Sequence, residues 1–230
     1  MTQKFAVIGL GQFGSAVARK LSHEGAEVLA IDKNIDRIEI IKDEVAFAVA
    51  LDSTDGKALK AQSVQDMDAV LVAIGENIEG LLLTVVQLLE LNIKRIIARV
   101  VSPQQKIILD KLGVSEVISP EDAMGEAIAE TLLNPHMHSF LSLPDNHQIA
   151  DVSLPIRLIQ KTVGELDFEE NYNLELLAIK RTYETTKDGH RYRQQHLIKK
   201  IRSDIELEAQ DELVIFGLDE DIETFLKVNS

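Results

Sequence analysis

The residues best suited to chemistry lie at the start of the chain, in Gly9-Leu10-Gly11-Gln12-Phe13-Gly14. An apolar run, Phe5 to Ile8, precedes them, and Phe13, Ala16, Val17 and Leu21 follow at helical spacing. Strand, glycine turn and helix in this order form a cradle for a nucleotide phosphate. Gly9 makes the tight turn, Gly11 admits the pyrophosphate to the backbone, and Gly14 lets the helix pack close to the strand. Free amides and the dipole at the helix start favour an anion. The plainer alternative is a glycine turn used only for packing.

Further polar residues fall at the ends of the apolar runs that follow. Asp32 ends the second run, 18 residues after Gly14, where a carboxylate accepts hydrogen bonds from ribose hydroxyls. Alternatively Asp32 or Asn34 caps the next helix, with Asn34 the better placed of the two. Lys33 joins Asp32 among the candidate contacts. Asp52-Ser53-Thr54 ends the third run, either beside adenine and its ribose or as a capped turn. Ile74-Gly75 ends the fourth, where backbone would approach the ligand. Arg99 sits in the fifth apolar run and needs an anion, supplied by an acid of the fold or by a ligand phosphate. Glu121 opens a helix, a position that the helix dipole alone favours for an acid.

These positions imply the elements that hold them. Strands are expected at 4–9, 26–31, 45–51, 69–74, 95–101 and 114–118. Helices at 12–24, 35–42, after Asp55, 78–91, after Ser102-Pro103 and 121–133 alternate with them. The pattern predicts an α/β domain over 1–134, a doubly wound, Rossmann-like parallel sheet of order 321456. The helix at 78–91 is apolar nearly all round, from Ile78 through Leu83 and Val86 to Leu91. It either fills the centre of the domain or meets another subunit, and we favour the second.

Residues 135–146 read as a linker between domains. His136 and His138 have the spacing of a metal pair, but without a nearby Asp or Glu in a ligand pattern an exposed linker is the better reading. Residues 147–230 predict a small α+β domain. Its strands are expected at 147–154, 173–182 and 211–217, and its helices at 161–167 and 219–228. A polar stretch at 183–210 contains Lys187-Asp188-Gly189, a candidate hairpin turn.

Composition narrows the classes. The 230 residues carry a net charge of −14, a poor match for nucleic acid or anionic lipid. There is no cysteine, which excludes disulfides and thiolate metal sites. No apolar run reaches the length of a membrane span, and the chain enters its first strand with no room for a signal peptide. A cytoplasmic protein without direct membrane insertion is expected.

Taken together, Phe-Ala-Val-Ile-Gly-Leu-Gly-Gln-Phe-Gly at 5–14, Leu-Ala-Ile-Asp at 29–32, Val-Ala-Ile-Gly at 72–75, Ser-Pro-Glu-Asp-Ala-Met-Gly at 119–125 and Asp-Glu-Leu-Val-Ile-Phe-Gly at 211–217 resemble the RCK proteins of the KtrA/TrkA type. These are regulatory subunits of bacterial potassium transporters. The resemblance implies homodimers assembling into an octameric ring on the inner face of the cell membrane. There the ring binds a KtrB/TrkH-like potassium-translocating subunit and gates it as nucleotide exchange changes its shape. It implies ATP/ADP, or alternatively NAD/NADH, as ligand, with Arg99 near phosphate and Asp32 on the ribose. It also implies a divalent or monovalent cation held at the triphosphate by Glu121.

Two departures matter. Gln12 stands where the family often has an arginine that reaches a neighbour's γ-phosphate, which weakens the case for ATP. Some members bind cyclic di-AMP through an apolar pair followed by Asp and Arg, whereas Thr162 to Glu169 offers acids, so no such binding is expected. The alternative function is an NAD-dependent oxidoreductase or an NAD(H) redox sensor. An oxidoreductase needs an acid/base residue held against the nicotinamide, and His190 and His196 lie in a polar stretch.

Overall fold

The computed structural model describes residues 2–114, 116–187 and 190–230. Two compact units divide the chain, one ending at Ala123 and the other beginning at Met124.

The first unit alternates strands and helices without interruption. The order is β1 (Lys4–Ile8), α1 (Gln12–His23), β2 (Glu27–Asp32), α2 (Ile35–Ile41), β3 (Phe47–Ala50), α3 (Gly56–Ala61) and β4 (Ala69–Val72). Then come α4 (Ile78–Glu90), β5 (Ile96–Arg99), α5 (Pro103–Leu112), β6 (Glu116–Ile118) and α6 (Pro120–Leu133), whose first turn belongs to this unit and whose remainder, from Met124, belongs to the second. The strands form one parallel sheet in the order β3-β2-β1-β4-β5-β6, the expected doubly wound arrangement. A parallel sheet is covered on both faces, so its strands are apolar on both. Val7, Val28, Ala30 and Leu71 pack with Ala18 of α1 and Ile38 of α2 on one side. Ala6, Ile8, Leu29, Ile31, Val70 and Val72 pack with Leu59 of α3, Leu81 and Val85 of α4, and Leu109 of α5 on the other.

Short side chains fix where the helices start. Asn34 Oδ1 accepts from Asp36 N, Asp55 Oδ1 from Lys57 N, and Asn77 Oδ1 from Gly80 N. Ser102 caps α5, and Gln105 Oε1 accepts from Val101 N at 2.8 Å. Each cap contributes about 1 kcal/mol.

The apolar helix α4 turns Leu81, Thr84, Val85 and Leu88 fully inward. Leu82 and Leu89 are half-buried against the same core, while Ile78 and Leu83 are exposed. Much of its apolar surface is therefore used within its own unit. The one polar side chain on the buried stripe, Thr84, is satisfied by Ser53 Oγ at 2.7 Å.

The second unit is an antiparallel sheet with helices against it. Its elements are β7 (Met137–Ser142), β8 (His147–Ser153), α7 (Val163–Leu166), α8 (Phe168–Tyr172), β9 (Glu175–Lys187), β10 (His190–Ile198), β11 (Glu212–Leu218) and α9 (Asp219–Asn229). The strand order is β10-β9-β11-β8-β7. Its core gathers Val152, Leu158, Phe168, Ile179, Leu213, Ile215, Ile222 and Phe225.

Three local readings change here. Residues 137–142, expected within a linker, form the edge strand β7. Met137 is buried and Phe140 half-buried against the core, while the polar His and Ser between them conceal the pattern. His138 Nε2 meets Ser153 Oγ at 2.8 Å across that strand pair. The helix expected at 161–167 is the four-residue α7, ended by Asp167 with φ 40°, and the Asp167 side chain caps a second short helix, α8, beyond the expected range. The polar stretch after residue 182 is largely strand, with β9 and β10 pairing from Ile179↔Ile198 to Lys187↔His190. Of the proposed turn, Asp188 and Gly189 lie outside the described residues.

In the acid-rich stretch Thr162–Glu169, Glu165 Oε2 accepts from Thr162 N and Asp167 Oδ1 from Glu170 N, so these carboxylates serve as helix caps.

Candidate functional site

The glycine turn is pinned between two neighbouring strands. Gly9 N donates to Ile31 O at 2.8 Å and Ala73 N to Ile8 O at 2.7 Å. Gly9 has φ +95°, and a Cβ there would lie 3.0 Å from the Ala73 backbone. A Cβ on Gly14 would lie 1.9 Å from Gly9 O, so α1 can approach the turn only through a residue without a side chain. Gly11 is different: a Cβ on it would meet nothing within 4 Å. Open space lies over the turn at the residue expected to admit a pyrophosphate.

Gly11 also occupies the N-cap of α1, where it makes no side-chain cap, and no acid lies in the first turn. The first internal bond of the helix is Ser15 N to Gly11 O. The positive end of α1 is thus left to an incoming anion. Gln12 is exposed at this end, Phe13 is half-buried, and Leu10 is buried beneath it.

Asp32 sits at the tip of β2, 6% exposed. Its Oδ2 accepts from Leu10 N at 2.7 Å and from Arg37 Nη1 at 3.1 Å, and its Oδ1 accepts from Asn34 N at 2.8 Å. Burial pushes its pKa up, but the amides of Asn34 and Leu10 and the Arg37 guanidinium outweigh this and hold it below the ordinary carboxylate value. Asp32 is therefore ionised and tied to the glycine turn. Of the two capping candidates Asn34 is the helix cap, and Asp32 instead accepts from the Asn34 amide. Arg37 was not among the expected site residues. Its place five positions later, on the far side of a turn, carries no sequence signal.

Asp52, Ser53 and Thr54 form a closed turn after β3. Asp52 Oδ1 accepts from Thr54 N at 2.9 Å and from its Oγ1 at 2.7 Å. These bonds, with Lys33 nearby, hold the Asp52 pKa low despite some burial. Ser53 is buried against Thr84, so its hydroxyl serves the packing of α4. Lys33 and Asp52 are exposed, and Ile74 and Gly75 are half-buried just beyond β4.

At the far side of the turn the structure brings together Phe13, Gly75, Arg99 and Glu121. The Arg99 guanidinium lies over the Phe13 ring, 5.8 Å from its centroid. Its Nη1 is so near the backbone that a Cβ on Gly75 would stand 2.6 Å away. Arg99 Nη2 donates to Glu121 Oε1 in the first turn of α6. That bond is the main reason the Glu121 pKa lies below the ordinary value. The fold thus supplies the acid that Arg99 requires. Among the described residues, Arg99 Nε is buried without a hydrogen-bond partner. Among the same residues no three His, Asp or Glu cluster to hold a metal, so a cation at Glu121 would need ligand oxygens to complete its shell.

Comparison with known proteins follows the same lines. The TrkA-N domain model matches residues 5–120. Ktr system potassium uptake protein C of Bacillus subtilis is 31% identical over 227 residues, 99% of this chain and 97% of that protein. Ktr system potassium uptake protein A of Vibrio alginolyticus is 30% identical over 185 residues, 80% and 84% of the two chains. Among solved structures the GsuK channel superposes on all of this chain and 40% of its own, with a TM-score of 0.65 and 16% identity, a likeness of fold. The NAD(P)-binding domain of an exopolyphosphatase-related protein from Archaeoglobus fulgidus covers 56% of this chain at 30% identity and a TM-score of 0.51.

Proposed function

We propose the following function for this chain, which belongs to the TrkA-N domain family and, along nearly its whole length, to the Ktr system potassium uptake proteins. It is a nucleotide-sensing regulatory subunit, not an enzyme, and it gates a potassium-translocating membrane partner. Among the described residues no helix is long and apolar enough to cross a membrane, so contact with the membrane would come through that partner. The nucleotide lies over Gly9–Gly14, with ribose on Asp32 and phosphate between the start of α1 and Arg99. The observation that carries this reading is the open space at Gly11, with a fixed carboxylate at Asp32 and, at Arg99, a guanidinium whose Nε has no partner among the described residues.

ATP/ADP and NAD/NADH are the ligand pairs to test. A structure of the GsuK channel bound to NAD and the NAD(P)-binding domain named above support the second pair. A triphosphate would bring a cation to Glu121, whose carboxylate would otherwise repel it. Thermal unfolding with each nucleotide tests the reading: at about 100 times its Kd, the true ligand adds about 2.7 kcal/mol to the first unit. No stabilisation by any of the four would overturn it. Turnover with oxidation of NADH would instead favour the oxidoreductase.

Gating requires that the ligand favour one assembly shape over another. We place the subunit contact, within a homodimer and its ring, on exposed apolar surface. Ile78 and Leu83 of α4 supply part of it. Met124, Ile128 and Leu132, spaced by four along α6, are 62%, 52% and 76% exposed and supply more. The double variant Ile128→Asp with Leu132→Asp should lower the mass measured by light scattering to that of a smaller species. An unchanged mass would remove α6 from the contact.

A further inference from the structure

Among the described residues Arg19, Arg37, Arg95, Arg99, Arg181 and Arg202 all pair with carboxylates, and the Nε–Nη2 forks of Arg95 and Arg181 set the contrast for Arg99. Arg95 gives Nε and Nη2 to the two oxygens of Glu116, both at 2.7 Å. Arg181 gives the same two donors to Asp211 at 2.8 and 2.7 Å. In each case the fork of the guanidinium is filled. Arg99 gives only Nη2 to Glu121. Its Nε, on the same edge of the fork, is buried and has no partner among the described residues.

A half-filled fork has a physical cost, because the buried donor lost its water without gaining an acceptor. The Arg99 side chain is 19% exposed and packs against Phe13 and Gly75. Glu121, at 53% exposed, is the more solvent-accessible partner. Phe13 belongs to the first turn of α1, so the guanidinium stands beside the place proposed for the phosphate. A phosphate there presents several oxygens and can fill both donors. It would also repel a carboxylate held on the same cation.

We propose that Glu121 is a placeholder on Arg99, displaced when the nucleotide phosphate takes both Nε and Nη2. The inference rests on the nucleotide reading above. Displacement frees the first turn of α6, and the boundary between the two units falls within this helix, after Ala123. Site occupancy is thereby passed to α6 by exchange of one ion pair. The freed carboxylate then becomes available to a cation at a triphosphate.

The test is ADP binding by calorimetry, without divalent ions, to the full-length protein and to Glu121→Gln, Arg99→Gln and the double variant. Removing the placeholder should tighten ADP binding by about fivefold, the worth of a partly exposed ion pair. Arg99→Gln should weaken it by about tenfold or more, the loss of a charge-assisted bond. In the Arg99→Gln background, Glu121→Gln should change nothing. Amide exchange in the first turn of α6 should rise when ADP binds the parent protein. In Glu121→Gln it should be high from the start.

Unchanged or weaker ADP binding by Glu121→Gln overturns the placeholder. So does an Arg99→Gln variant that binds ADP normally. Unaltered exchange in α6 overturns the coupling. Failure of the parent protein to bind ADP, ATP, NAD or NADH is a separate outcome and overturns the nucleotide reading itself.

Discussion

Gly14→Ala is expected to destabilise the first unit by about 3 kcal/mol, the upper part of the range for overpacking. Its new Cβ would stand 1.9 Å from Gly9 O. That oxygen is backbone at the tip of β1, and Gly9 N is bonded to Ile31 O, so the obstacle cannot rotate away. Either α1 moves off the sheet or the turn opens. Both displace the amides that face the proposed phosphate. Thermal unfolding of the first unit should fall by about 10 °C. The stabilisation by nucleotide should disappear with it. Gly11→Ala is the contrast, since its Cβ meets no protein atom within 4 Å. It should keep stability within about 0.5 kcal/mol, as open surface sites do, and lose only ligand. Equal stability of Gly14→Ala and the parent would show that the turn tolerates a side chain.

Asp32→Ala should be nearly as damaging, by loss of acceptors instead of overlap. It leaves the Leu10 amide without the carboxylate that now receives it, in a residue 3% exposed. It also strands the Asn34 amide and Arg37. We expect a loss of about 3 kcal/mol, since each stranded buried donor costs about 1–3 kcal/mol. Nucleotide affinity should fall by about tenfold or more with the ribose contact.

The effect of pH has a definite sign. Burial raises the Asp32 pKa, but its amide and arginine partners lower it further, so the folded value lies below the unfolded one. The stability this group contributes is fully present above the unfolded pKa of about 3.9 and is lost as pH falls through the folded value. Asp32→Asn should therefore differ most from the parent above about pH 5 and converge on it in acid. A difference between the two that stayed constant from neutral pH to acid would show that the charge of Asp32 has no part in the fold.

Much of this molecule was legible in its sequence because local physics dictated it. Residues 5–8, 28–31 and 69–72 are apolar runs because a parallel sheet is covered on both faces, and the glycine spacing at 9–14 is what a strand and helix need to pack tightly. Caps such as Asp55 and Ser102 were readable because a short side chain reaches an amide two or three residues on. The second unit was harder. The edge strand β7 buries little, so His and Ser mask its pattern, and β10 is exposed along most of its length. Alternation that no core enforces leaves only a weak trace in composition.

The sequence by itself determined the doubly wound sheet, the glycine cradle and the acid at the tip of β2, because each follows from neighbours along the chain. Only the tertiary structure decided how the polar side chains pair. Arg37 reaches Asp32 across a turn, Ser53 turns away toward Thr84 across 31 residues, and Arg99 meets Glu121 across 22. An ion pair between distant residues depends on which strand ends lie side by side, and the order of strands in the sheet fixes that. The unfilled half of the Arg99 fork has the same origin: packing against Phe13 and Gly75 holds the guanidinium where Glu121 satisfies Nη2, while Nε stays buried without a partner among the described residues.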